Sequence, residues 1–125
     1  MKKIILCAAL IFSLPVITVF YVSCNSTSLA EIEASLPDIK DKPDGVYRGN
    51  YVLTGSPVKV TLDVTIQDYN IAAISIIKHF CSPIGKKAEK ITGTIIEAQS
   101  LNVDVVSGAT GSSKAILKAV ENALQ

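Results

Sequence analysis

Residues 58–66 read VKVTLDVTI, an alternation of aliphatic and polar side chains that continues without a break. Alternation with period two predicts an antiparallel β-strand with one face in a core and the other in water. Two more strands are predicted over residues 46–53 and 71–78, joined to it by turns at residues 54–57 and 67–70. Because residues 71–78 are the most apolar of the three strands, we expect that strand to be central. The stretch therefore predicts a small antiparallel sheet.

The C-terminal half of the chain has helical spacing. Residues 86–99 place apolar side chains three and four positions apart, although Gly93 weakens the pattern, and residues 103–106 form a short extended piece. Residues 112–124 predict an amphipathic helix. Its apolar face consists of Ile116, Ala119, Val120, Ala123 and Leu124. The predicted fold class is α+β, with a sheet of three or four strands packed with two helices.

An uncharged apolar segment, residues 4–22, follows two lysines at the start of the chain. A bilayer span needs roughly 20 apolar residues and a signal-peptide core about 7–15, so this segment is long enough to span. An alternative is a lipoprotein signal, because Tyr21-Val22-Ser23-Cys24 resembles a bacterial lipobox, although Tyr21 stands where an aliphatic residue is usual. A cleaved secretory signal is the third possibility. All three export the rest of the chain, so we expect a domain at the bacterial cell membrane that faces the extracytoplasmic side.

The domain organisation follows from this segment. Residues 1–24 are predicted as the membrane anchor or lipoprotein signal, and residues 25–43 as a linker. The linker contains a short helix that begins at a capping box formed by Ser28 and Glu31 and ends at Leu36. Residues 44–125 are predicted as the folded domain.

Composition excludes several classes of function. The formal net charge is only +1 and the lysines are scattered, so the basic patch of a nucleic-acid-binding protein is absent. A single histidine makes a metal site improbable, and we expect none. Of three cysteines, only Cys81 lies in the predicted domain, where a small packed residue is a better interpretation than a redox partner.

The chemically informative run is DVVSGATGSS, residues 104–113, which leads into the last predicted helix. The first turn of a helix has unpaired N–H groups and a partial positive charge, which suit a phosphate. The small residues are Gly108, Ala109 and Gly111, and the hydroxyl donors are Ser107, Thr110, Ser112 and Ser113. The Walker A, dinucleotide and nucleophile-elbow patterns do not match. An ordinary capped helix start is the alternative interpretation.

Asp104-x-x-Ser107-Gly108-Ala109-Thr110 resembles the flavinylation motif of the FMN-binding domain family. That family includes the C subunit of the Na⁺-translocating NADH:quinone reductase and the G subunit of the Rnf complex. Residues 44–49 (DGVYRG) resemble the opening motif of the family, so the resemblance covers most of residues 44–125.

The resemblance implies that Thr110 carries FMN as a phosphoester. A Mg²⁺-dependent flavin transferase would take FAD, attach FMN to the threonine hydroxyl and release AMP. The matching residues Asp104, Ser107, Gly108 and Ala109 would be read by that enzyme. Among the cofactor-binding residues we also place Gly111, Ser112 and Ser113.

The chain departs from the family beyond the third predicted strand. Family members often have His and then Glu-Thr near the flavin, and here His79 is followed, after Phe80, by Cys81-Ser82. We include His79 among the cofactor-binding residues, with a surface position as the alternative. Phe80 is interpreted as a core aromatic rather than as a residue that stacks on the flavin.

The predicted function is an electron carrier, not an enzyme by itself, whose redox partners are a membrane reductase or a quinone-linked complex. One alternative is a module that binds FMN or another phosphate ligand without a covalent bond. A second alternative is a surface-anchored interaction protein with no cofactor.

Overall fold

The computed structural model describes residues 32–125, and the predicted anchor, residues 1–24, lies outside them. Three antiparallel strands form one sheet: β1, Gly45–Val52; β2, Lys59–Gln67; and β3, Asn70–Phe80. The sheet order is β1-β2-β3, so β2 is central and the prediction that residues 71–78 form the central strand was wrong. The prediction relied on overall apolarity, but β2 buries one complete face although more than half of its residues are polar.

Strand β2 confirms the alternation in the sequence. Its inward side chains have exposed fractions of 1% or less, whereas the residues between them are half-buried or exposed. The inward residues are Val60, Leu62, Val64 and Ile66. Strands β1 and β3 both pair with β2. The buried face of β2 therefore sets the register of both pairings.

The turn between β2 and β3 is a two-residue hairpin turn. Asp68 and Tyr69 have φ angles of 50° and 60°, the left-handed conformation that a type I′ turn requires at both central positions. The Asp68 N–H donates to the side chain of Asp44, 3.0 Å away, which ties this turn to the start of β1. The turn predicted at residues 67–70 is confirmed.

Two helices pack on the sheet, as predicted. A 3-10 helix, Gly85–Lys90, continues directly into α1, Ile91–Ala98. The first part of the helix predicted over residues 86–99 is therefore a 3-10 helix and the second part an α-helix. The long helix α2, Thr110–Leu124, begins two residues before its predicted start. Residues 103–106 belong to no strand, and the described sheet has three strands.

Helix α2 lies close against β1 because β1 has a glycine at the crossing point. A methyl group at Gly49 would overlap the carbonyl oxygen of Ala119 and lie 2.7 Å from the Cβ of Ala123. All five residues of the predicted apolar face of α2 are buried. The core between helix and sheet therefore depends on small residues on both sides of the crossing.

Helix α1 ends at Gln99, which has a left-handed backbone (φ 48°). The Gln99 side-chain amide accepts a hydrogen bond from the Ile71 N–H at 2.8 Å and donates one to the Ile71 carbonyl at 2.9 Å. The side chain thus bonds to the backbone of β3 as a neighbouring strand would.

The segment before β1 is only partly a linker. Residues 32–39 have no helix, so the described part of the helix predicted through Leu36 was wrong, and Ile39 is buried against the core. Tyr47 donates a hydrogen bond to the Pro43 carbonyl at 2.7 Å, which fixes the end of this segment. Within residues 32–125, no helix has the length and apolar character needed to cross a bilayer.

Candidate functional site

The segment that precedes α2 forms a tight turn at the end of the sheet where β1 and β3 finish. The Ala109 N–H donates to the Val106 carbonyl at 2.9 Å, and Gly108 between them has φ 78°. A positive φ strains any residue with a Cβ, and this explains the glycine. Ala109 then occupies the N-cap position, and Thr110 is the first residue of α2.

Ser113 supports this turn from inside the domain. Its hydroxyl accepts a hydrogen bond from the Val106 N–H at 3.1 Å and donates one to the Ala109 carbonyl at 2.9 Å. The side chain has no exposed surface. Ser113 therefore fixes the turn, and its direct contact with a cofactor stays a prediction.

Ser112 also points inward, toward the loop that follows β3. A methyl group built on Gly85 would lie 2.6 Å from the Ser112 hydroxyl oxygen and 2.9 Å from the Cβ of Cys81. Burial, followed by the charge of Glu89, raises the pKa of the half-buried Cys81 thiol, against smaller opposing effects that include its hydrogen bond with Ser112. The thiol is therefore kept protonated, which fits packing rather than redox chemistry.

The remaining predicted site residues face solvent. Asp104, Ser107, Gly108 and Thr110 are exposed, Gly111 is half-buried, and Ala109 is 5% exposed. The run thus separates into an outer set that another molecule can reach and an inner set that shapes the turn.

The start of α2 has the properties of a phosphate site. Ala109 has no side-chain oxygen to cap the helix, and the first turn contains no acidic residue. The N–H groups there and the helix dipole favour an anion by roughly 0.3–1 kcal/mol at an exposed position. A phosphate joined to the exposed Thr110 hydroxyl would lie at this positive end.

Strand β3 continues for two residues beyond its predicted end at residue 78. The His79 side chain is 2% exposed, and its Nδ1 lies 3.0 Å from Oε1 of Glu89. Its Nε2 is buried without a hydrogen-bond partner within residues 32–125. The surface alternative for His79 was wrong, and a contact between His79 and the flavin stays a prediction.

The structure also contains a cavity that sequence reasoning missed. Phe80 is 66% exposed, so its interpretation as a core aromatic was wrong. It forms one wall of a cavity of about 480 Å³ on the sheet face opposite α2, which we call the Phe80 pocket. Its lining residues are Pro57, Lys59, Thr61, Lys78 and Phe80. The sequence pattern places Lys59 and Thr61 only on the solvent-facing side of β2, and no motif in the sequence predicts the cavity.

No cluster of three or more side chains able to hold a metal ion occurs within residues 32–125. The helix start offers backbone N–H groups and hydroxyls, whereas the Phe80 pocket lies on the opposite face of the sheet and is lined in part by two lysines. An exposed helix start with backbone N–H groups and hydroxyls is the arrangement of a phosphate-binding domain.

Comparison with known proteins identifies the class more closely. Residues 54–125 match the FMN-binding domain family, so the chain belongs to that family. The chain is 42% identical over 84 residues to an uncharacterised protein of Treponema pallidum (strain Nichols), with 66% of this chain covered. It is 29% identical over 108 residues to an NADH:acrylate oxidoreductase of Vibrio harveyi, with 83% of this chain covered.

Both relatives are much longer than this chain. The aligned part is 23% of the Treponema protein and 11% of the Vibrio protein. The comparison therefore concerns one domain of each relative.

The residues present fit FMN. The exposed Thr110 hydroxyl at a helix start without a side-chain cap suits the phosphate, and Gly108, two residues earlier, has no side chain to obstruct it. The volume of the Phe80 pocket lies within the roughly 300–1,000 Å³ typical of small-molecule sites. The chain is an FMN-binding domain by its family membership.

Proposed function

We propose that this domain carries FMN joined through its phosphate to Thr110 and acts as an electron carrier. The observation that carries the proposal is the position of Thr110. It is the exposed first residue of α2, at a helix start with no side-chain cap, in a chain that belongs to the FMN-binding domain family.

Attachment requires a separate enzyme, for which we propose a Mg²⁺-dependent flavin transferase. The Thr110 hydroxyl oxygen bonds to the FMN phosphorus of FAD, the phosphoanhydride bond breaks, AMP leaves and the hydroxyl proton is lost. Asp104, Ser107 and Gly108 are exposed beside Thr110, so the transferase can contact them directly. Ala109 is buried and acts by setting the turn.

Family membership supports the electron-carrier role that we propose. Bound FMN supplies transfer of one or two electrons, and the protein tunes the ring through nearby charges and hydrogen bonds. The domain's one histidine is buried against Glu89, so the site has no exposed imidazole to serve as a general base. Turnover of a substrate would then belong to a redox partner, such as a membrane reductase or a quinone-linked complex.

We further propose that the domain works at the bacterial membrane, on the extracytoplasmic side. The support is the apolar segment at residues 4–22 after two lysines, with Cys24 as an alternative lipid attachment site. An ester bond would keep the cofactor on a domain that is exported from the compartment where FMN is made.

Intact mass tests the attachment. The full chain is produced with and without a flavin transferase, denatured and weighed. The expected mass increase equals one FMN less one water, and the denatured band fluoresces. Thr110→Ala removes both signals, whereas the control Thr94→Ala, which changes an exposed threonine on α1, retains them. Flavin that stays bound to denatured Thr110→Ala would show that the attachment site is elsewhere.

Non-covalent binding of FMN is the second candidate, because an uncapped helix start also suits a free phosphate. Denaturation separates the two candidates. A yellow protein that loses all flavin when unfolded, even after production with the transferase, would favour the non-covalent domain. A protein that never becomes yellow would contradict both.

A further inference from the structure

We propose that the Phe80 pocket holds the isoalloxazine ring of the FMN attached at Thr110. The inference rests on the proposed function and adds where the ring lies and which side chains tune it. Such a ring is flat, largely apolar and edged with carbonyl and nitrogen acceptors. A cavity of about 480 Å³ with an aromatic wall and two lysines matches that chemistry.

One wall of the pocket, formed by Pro57 in the turn between β1 and β2, is connected to the start of α2. Pro57 is in the turn between β1 and β2, and the base of that turn is closed by the Leu53 N–H, which donates to the Val58 carbonyl at 3.0 Å. A methyl group at Gly111 would lie 3.4 Å from Cδ2 of Leu53. Since Gly111 directly follows Thr110, this turn contacts the first turn of α2.

The second wall of the pocket, formed by Phe80 at the end of β3, is also connected to the start of α2. Phe80 ends β3, and the next residue, Cys81, lies near the first turn of α2, because a methyl group built on Gly85 would be 3.2 Å from Sγ of Cys81 and 2.6 Å from the Ser112 hydroxyl oxygen. The residues next to both walls of the pocket therefore lie close to Gly111 and Ser112, the two residues of α2 that directly follow Thr110. A ring tethered there by the ribityl chain of FMN enters the pocket across the end of the sheet.

The side chain of Phe80 is available for stacking. It is 66% exposed although its neighbour His79 is buried, because successive residues of a strand point to opposite faces. Aromatic faces stack in offset arrangements with other flat π-systems. A ring in the pocket covers the exposed Phe80 face.

Two lysines place positive charge beside the ring. Lys59 pairs with Phe80 across β2 and β3, and Lys78 pairs with Thr61, so all four residues lie on the same sheet face. Both lysine side chains are exposed and line the pocket. Since reduction adds negative charge to the ring, an ammonium group nearby favours the reduced form.

Paired variants test the pocket in the full-length protein produced with the transferase. Phe80→Leu is matched by Tyr69→Leu, an aromatic with 61% exposure in the turn at the opposite end of the sheet. Lys59→Gln and Lys78→Gln are matched by Lys40→Gln, an exposed lysine in the segment before β1. All of these residues are exposed, and far-UV circular dichroism checks that each variant folds.

Three measurements are made on each variant: intact mass, the gain in melting temperature on flavinylation, and the midpoint potential. We expect every variant to gain the FMN mass. Phe80→Leu should lose most of the gain in melting temperature that the ring confers, and Tyr69→Leu should keep it. Each pocket lysine variant should have a more negative potential, and a tenfold weaker preference for the reduced ring corresponds to roughly 30 mV for a two-electron couple.

The outcomes separate the two proposals. Wild-type protein without the FMN mass overturns the attachment to Thr110 and, with it, the placement of the ring. If the FMN mass is present, but Phe80→Leu keeps the gain in melting temperature and both lysine variants keep the wild-type potential, only the pocket proposal is overturned. Equal effects from the control variants overturn it as well.

Discussion

Within residues 104–113, the side chains of Ser107 and Thr110 face solvent, whereas those of Ser112 and Ser113 are buried in the domain. The four residues look equivalent in the sequence, since each offers a hydroxyl a few positions from the start of α2. The structure assigns them different roles. The inner pair holds the turn and the loop after β3 in place, and the outer pair is accessible to another molecule. Three experiments test this difference and a fourth concerns an ion pair on the sheet, in order of decreasing expected effect on stability.

Ser113→Ala should give the largest loss of stability. It removes the acceptor of the Val106 N–H and the donor to the Ala109 carbonyl, and a buried group left without a partner costs about 1–3 kcal/mol. Urea unfolding of the unmodified protein measures the change. The matched control is Ser107→Ala, an exposed serine of the same segment, which should stay within about 0.5 kcal/mol of wild type. Equal losses for the two variants would contradict the division into inner and outer residues.

Gly108→Ala should cost about 1–2 kcal/mol, because an alanine at φ 78° is strained in the left-handed region. No atom lies near the added methyl group, so the cost would come from the backbone alone. Gly93→Ala is the control, since Gly93 is inside α1 with open space around it, and this variant should be more stable by up to about 1 kcal/mol. Thermal unfolding of both proteins gives the comparison. A Gly108→Ala protein as stable as wild type would show that the turn relaxes freely.

Thr110→Ala should change the unfolding free energy by less than about 0.5 kcal/mol in the absence of flavin, since the side chain is exposed and alanine is a good helix former. The same substitution is expected to abolish covalent flavin completely. Urea unfolding of unmodified protein, together with intact mass after production with the transferase, measures both properties. A large loss of stability would mean that Thr110 belongs to the inner set.

The smallest effect concerns an exposed ion pair on the pocket face of the sheet. Arg48 donates two hydrogen bonds to Asp63, at 2.7 and 2.8 Å, and these bonds hold the pKa of that carboxyl below its ordinary value. Since the pKa is lowered in the folded state, the pair stabilises the fold above the unfolded pKa of aspartate, and this contribution is lost as pH falls through the folded pKa. In Arg48→Ala the pKa of Asp63 should rise, as a carboxyl ¹³C titration by NMR would detect. An unchanged titration would show that the pair does not persist in solution.

The fold was predictable where one physical requirement dominates the sequence. The alternation in β2 predicted its buried face, and the spacing in residues 112–124 predicted the buried face of α2. The order of the strands was not predictable from apolarity, because β3 exposes Ile77 and Phe80 on an open face of the sheet. The prediction of a short strand at residues 103–106 was wrong. The Val106 N–H bonds to the Ser113 hydroxyl rather than to another strand.

The candidate site was predictable only as a stretch of sequence. Small residues and hydroxyls before an amphipathic helix indicated a phosphate site, and the resemblance to the family singled out Thr110. The burial of Ser112 and Ser113 depends on Gly85 and Val106, and the Phe80 pocket depends on the pairing of β2 with β3. These are tertiary contacts, so no local pattern contains them.

The two hydrogen bonds between Gln99 and Ile71 also bear on how the protein behaves at high concentration. A strand at the rim of a sheet is a template on which a second chain can add itself. At the start of β3, the N–H and the carbonyl of Ile71 cannot pair with a second chain, because the side-chain amide of Gln99 already bonds to both. Self-association through this edge would have to begin further along β3, close to the proposed position of the flavin, and a cofactor bound there would then compete with it.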